Sequence, residues 1–158
     1  MAGSKSGSFL GLICWAGGRV TDANLKQLNT YYQFGYNLGL LDQIKDDLAD
    51  LWTDDTHYSD LRNGHFNSLA VGYAYSVLPS DDRAKLLNYL ANSSNSLEDE
   101  KEARQLIISS GAGVYLTVQS TYYAQQNKQL ITEMEFPSEA QNKLENILEK
   151  IQLPTASI

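Results

Sequence analysis

The sequence predicts an all-α fold of about six helices, and three observations support this prediction. Apolar residues recur at helical spacing in one segment after another, and no stretch alternates apolar and polar residues as a half-buried strand does. The chain has only 3 Pro, and Pro79 falls where one helical segment stops and another starts. Its 158 residues, 42% of them hydrophobic, suffice for one domain with a core. We therefore expect a single all-α domain over residues 1–158.

The first two helices are expected to lie on either side of a glycine pair. The apolar segment 9–15 is typical of a buried helix, and Gly17 and Gly18 are expected to end it, as glycines often do at a helix C-terminus. The second helix is expected from about residue 23 to 52, since no proline interrupts that stretch.

The remaining helices are separated by polar breaks. Residues 66–78 are typical of a buried helix, and a fourth helix is expected to begin at Ser80, directly after the proline. Ser96 is placed to cap a long fifth helix over about 97–129. A sixth is expected from Ser138, because the residues that follow it show apolar side chains at i, i+3, i+4 and i+7.

The amino-acid composition limits the classes of binding partner and the cellular compartment that we expect for this protein. The chain has 12 Lys and Arg against 19 Asp and Glu, a net charge of −7, which repels phosphate backbones and argues against nucleic-acid binding. No apolar run approaches the roughly 20 residues of a membrane span. The one cysteine, Cys14, cannot form an internal disulfide, and we expect a cytoplasmic protein.

Residues 39–50 carry the candidate chemistry. On a helix, one side of this segment presents polar residues beside an apolar stripe that can anchor it: Gly39, Gln43, Asp46, Asp47 and Asp50. Asp46 and Asp50 are four residues apart, where like charges repel by a few tenths of a kcal/mol. Mg²⁺ typically binds one or two carboxylates and takes further oxygens from water and substrate phosphates. The spacing indicates Mg²⁺ shared with a diphosphate; the alternative is a solvated acidic face.

The same segment resembles the second aspartate-rich motif of the trans-isoprenyl diphosphate synthases, or polyprenyl synthetases, commonly written G-x-x-F-Q-x-x-D-D-x-x-D. The Gly, the Gln and all three Asp match, whereas Asp42 stands at the aromatic position. Downstream, residues 60–65 resemble the start of the family's D-L-x-x-G-K-x-T-L-P, with His65 in place of the Lys and without the T-L-P ending. Upstream, Lys5 and Ser6 resemble the family's K-S dipeptide, which opens an apolar helix.

The resemblance implies Mg²⁺-dependent prenyl transfer from an allylic isoprenyl diphosphate. In the family, two aspartate-rich motifs hold Mg²⁺, and the metal stabilises charge on the leaving diphosphate. By this resemblance Asp46 and Asp50 are metal ligands, and Asp47 either ligates or orients. Lys5, Gln43 and His65 contact the diphosphate, the last more weakly than a lysine because a histidine is largely neutral at pH 7.

The family is usually about twice as long, and its N-terminal half supplies the first aspartate-rich motif. The chain resembles the C-terminal half, so we expect it to be inactive alone and to need that half or a second subunit. An apolar face left by the missing helices is expected to make it a homo- or hetero-oligomer. The departures at Asp42 and His65 suggest a divergent member, and a loose similarity to the peptide-pheromone-modifying prenyltransferases leaves a peptide acceptor open. The alternative is a non-catalytic helical interaction or regulatory subunit that kept the fold.

Two groups of tyrosines at helical spacing complete the candidate residues: Tyr31, Tyr32 and Tyr36, then Tyr115, Tyr122 and Tyr123. Packing in the core is the simpler interpretation. Lining a cavity for an isoprenoid chain is the alternative, because such a cavity needs apolar and aromatic walls.

Overall fold

A computed structural model describes residues 3–52, 68–92 and 96–151, and they form seven α-helices joined by short connections. No residue in these ranges lies in a β-strand, which confirms the all-α prediction. None of the described helices is both long and apolar enough to cross a bilayer. The helices are α1 Gly3–Val20, α2 Leu25–Trp52, α3 Leu69–Val77, α4 Ser80–Ala91, α5 Leu97–Ser109, α6 Ala112–Glu133 and α7 Ser138–Ile151.

The seventh helix arises because the long fifth helix expected over 97–129 is interrupted. Gly111 lies between α5 and α6 with φ of +83°, in the left-handed region that glycine adopts at little steric cost. The expectation that Gly17 and Gly18 end the first helix is wrong, because α1 continues to Val20. Asp22, with φ of 56°, takes the left-handed conformation just beyond that helix.

The chain divides into two compact units. The first contains Gly3–Lys45 and Thr117–Ile158, and the second contains Asp46–Leu116. In the first unit, α2, α6 and α7 contribute to one buried cluster: Phe34, Leu38, Leu41, Ala124, Ile131, Met134 and Leu148. In the second unit, α3, α4 and α5 contact one another. Its fully buried residues include Ala74, Leu86, Ile107 and Leu116.

Small residues bring α1 very close to α2 in the first unit. A Cβ atom added to Gly39 would lie 2.5 Å from the carbonyl oxygen of Ser6 and 2.6 Å from the amide nitrogen of Gly7. A Cβ on Gly35 would meet the carbonyl oxygen of Leu10. Such distances are shorter than non-bonded atoms tolerate, so glycine is required on α2 at both positions. This contact fixes the first turn of α1 beside the turn of α2 that begins at Gly39.

Candidate metal and diphosphate site

The three aspartates near the end of α2 have different environments. Asp46 is exposed and Asp50 is half-buried, whereas Asp47 is only 5% exposed. The helix geometry explains the difference, because Asp47 follows the buried Leu40 by seven residues and lies about 20° from it around the helix axis. The aspartates therefore separate into an outward pair and one buried carboxylate.

Asp47 binds the beginning of α3. Its Oδ2 atom accepts hydrogen bonds from the Ser68 hydroxyl at 3.0 Å, from the Leu69 amide, and from the Ala70 amide at 3.3 Å. The first amides of a helix have no acceptor within it, and a negative charge there is favoured by the helix dipole. Ser68 also caps the same helix through the Val71 amide. Asp47 therefore joins two helices of the second unit.

Arg104 of α5 contacts the last turn of α2. Its guanidinium donates to the backbone carbonyl of Asp50 at 3.1 Å and to Glu100 Oε1 at 3.0 Å, and both side chains are largely buried. The Asp50 carbonyl belongs to the last turn of α2, where carbonyls lack helical partners and a cation is favourable. Arg104 thus stabilises the last turn of α2, which carries Asp50.

The chemistry of the outward pair fits Mg²⁺. Asp46 and Asp50 provide hard carboxylate oxygens one helical turn apart on the accessible side of α2. Across residues 3–52, 68–92 and 96–151, no group of three His, Cys, Asp or Glu side chains is placed to hold a metal ion. Two carboxylates are sufficient for Mg²⁺ when water and substrate phosphates supply the remaining oxygens. The burial of Asp47 is therefore compatible with a metal held by the other two.

The residues expected to contact diphosphate lie in the first unit where the structure describes them. Lys5 is exposed in the first turn of α1, and Gln43 is half-buried on α2, one turn after Gly39. The glycine contact described above places the first turn of α1 beside Gly39. His65 and the rest of segment 60–65 lie outside the described residues. Asp42, at the position of the family's aromatic residue, is exposed.

The tyrosines have several environments in the described chain. Tyr31 lines an apolar cavity of about 280 Å³ in the first unit, together with Cys14, Phe34, Met134 and Phe136. Burial raises the pKa of the Cys14 thiol, which makes it a poor nucleophile at neutral pH. The other tyrosines pack or lie at the surface: Tyr32 and Tyr36 cover glycines of α1, Tyr115 stacks on Tyr73, and Tyr122 and Tyr123 pack edge to face.

Sequence reasoning missed three residues that position the aspartates. Ser68 directly precedes an apolar run, which is a recognisable helix-capping signal. Glu100 and Arg104 are four residues apart on α5, so an ion pair between them could be expected. Nothing in the sequence pattern indicates that Arg104 also reaches α2, because that contact joins residues 54 positions apart.

Comparisons with known proteins give a partial match. No protein-family profile matches the chain. A short-chain isoprenyl diphosphate synthase of Methanocaldococcus jannaschii is 29% identical over 112 residues, which are 68% of this chain and 34% of that protein.

Several solved structures share the fold. A polyprenyl synthetase from Streptomyces coelicolor superposes with a TM-score of 0.77 at 22% identity, covering 96% of this chain and 48% of that chain. A geranylgeranyl pyrophosphate synthase superposes with a TM-score of 0.77 at 18% identity, covering 94% of this chain and 48% of that chain. A geranylgeranyl pyrophosphate synthase from Corynebacterium glutamicum was solved with isoprenyl diphosphate and magnesium. It superposes with a TM-score of 0.73 at 14% identity, covering 86% of this chain and 40% of that chain.

These matches confirm the resemblance to isoprenyl diphosphate synthases and show that the chain has the helical fold of polyprenyl synthetases. The chain spans about a third of the curated relative and about half of the solved structures. This coverage agrees with the expectation that the chain corresponds to one half of such an enzyme.

Proposed function

We propose that the chain takes part in Mg²⁺-dependent transfer of a prenyl group from an allylic isoprenyl diphosphate, with Asp46 and Asp50 as metal ligands. One observation carries the proposal. These two carboxylates lie one turn apart on the accessible side of α2, in a chain with the polyprenyl synthetase fold. A solved structure of that fold contains isoprenyl diphosphate and magnesium, which supports the choice of ligand.

Each residue of the proposed site has a distinct task. Mg²⁺, when bound, stabilises the negative charge that develops on the departing diphosphate. Asp46 and Asp50 hold the metal through carboxylate oxygens. Lys5 neutralises phosphate oxygens as a compact cation, and the Gln43 amide donates a hydrogen bond beside them. Asp47 acts as a positioning residue, since its Oδ2 atom accepts three hydrogen bonds from the start of α3.

The proposal includes a further contribution from outside these 158 residues. The chain spans about half the length of the solved synthases, so a complete substrate site needs the rest of that fold, from the same polypeptide or from a second subunit. The acceptor is either a second isoprenoid or a peptide, and both choices use the same departing diphosphate.

Calorimetric titration with geranyl diphosphate, on the chain together with the rest of the fold, tests the proposal. We expect binding that requires Mg²⁺ and that Asp46→Ala weakens at least about tenfold, a change of about 1.4 kcal/mol. The control variant is Glu149→Ala, an exposed acidic residue on α7, which should bind like the wild type. Affinity that is unchanged by EDTA, or equal in wild type and Asp46→Ala, would contradict the proposal.

A second candidate is a non-catalytic helical subunit that kept the fold. The exposed Asp42 favours it, because an acidic side chain where the family has an aromatic one removes part of an apolar wall. Such a subunit would bind a partner polypeptide with equal affinity in EDTA and after Asp46→Ala. Titration of that complex with geranyl diphosphate distinguishes it from the enzymatic proposal, because a non-catalytic subunit would show no Mg²⁺-dependent binding.

A further inference from the structure

The apolar cavity beside Tyr31 lies away from the candidate diphosphate site. Its volume is about 280 Å³, and its wall comes from the C-terminal part of α1, from α2, from the connection between α6 and α7, and from α7. Cys14, in this wall, follows Lys5 by nine residues, which is about 14 Å along α1. Phe34 precedes Gln43 by the same number of residues along α2. The cavity is therefore a separate site within the first unit.

The wall of the cavity is suited to an uncharged molecule. None of the described residues that line it carries a charge. Three aromatic rings and a thioether contribute to it: Tyr31, Phe34, Phe136 and Met134. The Thr21 hydroxyl, also in the wall, donates a hydrogen bond to the Gly18 carbonyl at 3.0 Å. A diphosphate or a carboxylate in this cavity would lose its hydration without gaining an ionic partner, so the wall disfavours both.

Gly17 leaves the cavity open where a larger residue would fill it. This glycine lies inside α1 with an ordinary helical backbone, and an added Cβ would meet no described atom within 4 Å. Neither backbone conformation nor a close helix contact therefore requires glycine here, and glycine is less favourable than alanine inside a helix. Protein interiors otherwise contain few voids larger than a water molecule. The open space beside Gly17 is the feature that a bound molecule would explain.

We propose that this cavity binds an uncharged apolar molecule of about ten carbon atoms. An apolar cavity of about 150 Å³ holds one benzene molecule, and this cavity is nearly twice as large. A short prenyl alcohol and a fatty alcohol share the required chemistry, an uncharged hydrocarbon chain. The occupant contacts α1, α2 and α7 together and stabilises the folded first unit. This site is independent of the proposed metal site on α2.

Methyl NMR of the complete natural protein, labelled with ¹³C-methyl methionine, tests the proposal. The Met134 signal is assigned by its loss in Met134→Leu and is followed during titration with geraniol, with decanol and with geranyl diphosphate. We expect a saturable shift with at least one alcohol, and the more effective alcohol identifies the kind of chain. The same alcohol should slow alkylation of Cys14, which also lines the cavity. No shift with either alcohol, or an equal shift with geranyl diphosphate, would overturn the proposal.

Two glycine variants separate filling of the cavity from misfolding. Gly17→Leu should weaken binding of the alcohol at least about tenfold, because the new side chain occupies the cavity. The matched control is Gly72→Leu on α3, another exposed helix glycine with no described atom within 4 Å of an added Cβ, which should bind like the wild type. Circular dichroism checks that both variants are folded. Unchanged binding in a folded Gly17→Leu would overturn the proposal.

Asp46→Asn distinguishes this site from the proposed function. The variant should lose Mg²⁺-dependent diphosphate binding and keep the response of Met134 to the alcohol. Unaltered diphosphate binding together with that response would refute the proposed function alone. Loss of the response in the folded variant would refute a cavity site that is independent of the metal site.

Discussion

Asp46 and Asp47 are neighbours in sequence and have different environments in the structure. The Asp46 side chain is exposed, whereas the Asp47 carboxylate is buried and accepts hydrogen bonds at the start of α3. The residue pattern predicted that both lie on the polar side of α2, whereas the Asp47 side chain is only 5% exposed. The burial of Asp47 could also have been predicted from its position about 20° from Leu40. The hydrogen-bond partners of Asp47 could not have been predicted, because the 15 residues between α2 and Ser68 do not indicate where α3 begins.

We expect Asp47→Ala to lower the free energy of unfolding by about 3 kcal/mol, because it removes a charged acceptor from buried helix-start amides. Asp46→Ala should lower the free energy of unfolding by less than Asp47→Ala does, because the Asp46 side chain is exposed. Urea denaturation followed by circular dichroism measures both. Equal stability of the two variants would contradict the positioning role of Asp47.

Gly39 gives a second prediction at the scale of one residue. Gly39→Ala should cost about 1–3 kcal/mol, since the new methyl group would overlap the backbone of Ser6 and Gly7. The matched control is Gly17→Ala in α1, where an added Cβ has no neighbour within 4 Å among the described residues; it should stabilise by about 0.5 kcal/mol. Thermal unfolding measures both effects. A stabilising Gly39→Ala would show that α1 and α2 are farther apart than described.

At the scale of helices, the ends of α2 and α3 depend on charged side chains from other segments. Arg104 donates a hydrogen bond to a carbonyl in the last turn of α2, and Asp47 accepts hydrogen bonds at the start of α3. Helix existence was predictable from apolar spacing, as α4 and α7 show by beginning at the expected Ser80 and Ser138. Helix ends were less predictable, because glycine serves both as a helix terminator and as a site of close helix contact.

We expect Arg104→Met to lower the free energy of unfolding by about 3 kcal/mol, because it removes the cation beside the largely buried Glu100 carboxylate. The double variant Glu100→Gln/Arg104→Met should recover part of this loss, since it also removes the buried charge. Urea denaturation of the wild type, of Arg104→Met, of Glu100→Gln and of the double variant provides the comparison. Additive losses in the double variant would indicate that the two side chains are not coupled.

The start of α5 predicts a pH dependence. Ser96 donates to the Asp99 carboxylate from its hydroxyl at 2.7 Å and from its amide at 2.8 Å, and these bonds lower the pKa of Asp99. A carboxyl whose pKa is lower in the folded state stabilises the protein above its ordinary pKa, and this contribution disappears as the pH falls through the folded-state value.

Asp99→Asn should therefore reduce stability at pH 7 and approach the wild type in acid. Urea denaturation of both proteins between about pH 6 and pH 3 measures the difference. A difference that stays constant over this range would contradict the assignment. Asp81→Asn on α4, another exposed acidic residue in a first helical turn, is the control.

At the scale of the whole molecule, the chain spans about half of the solved synthases, and two of its features bear on that partial coverage. One is the proposed Mg²⁺ site at Asp46 and Asp50, which by our proposal also needs oxygens from a substrate and from the remainder of the fold. The other is the outer face of α1, opposite α2, where large apolar side chains are exposed: Phe9, Leu12, Ile13 and Val20. The sequence motifs indicated the first feature, and the missing length indicated that an apolar face would be exposed. The particular face became apparent only from the structure, because the glycines identify which side of α1 contacts α2.

Paramagnetic broadening by Mn²⁺, used in place of Mg²⁺ with inorganic pyrophosphate, tests the metal ligands most directly. Amide NMR signals would be recorded for the wild type and for Asp46→Asn/Asp50→Asn. Glu145 and Glu149 on α7 form an exposed acidic pair with the same four-residue spacing and provide the internal control. We expect pyrophosphate-dependent broadening around Asp46 and Asp50 that the double variant abolishes. Equal broadening on α2 and α7, or broadening that survives in the double variant, would contradict Mg²⁺ binding by this pair.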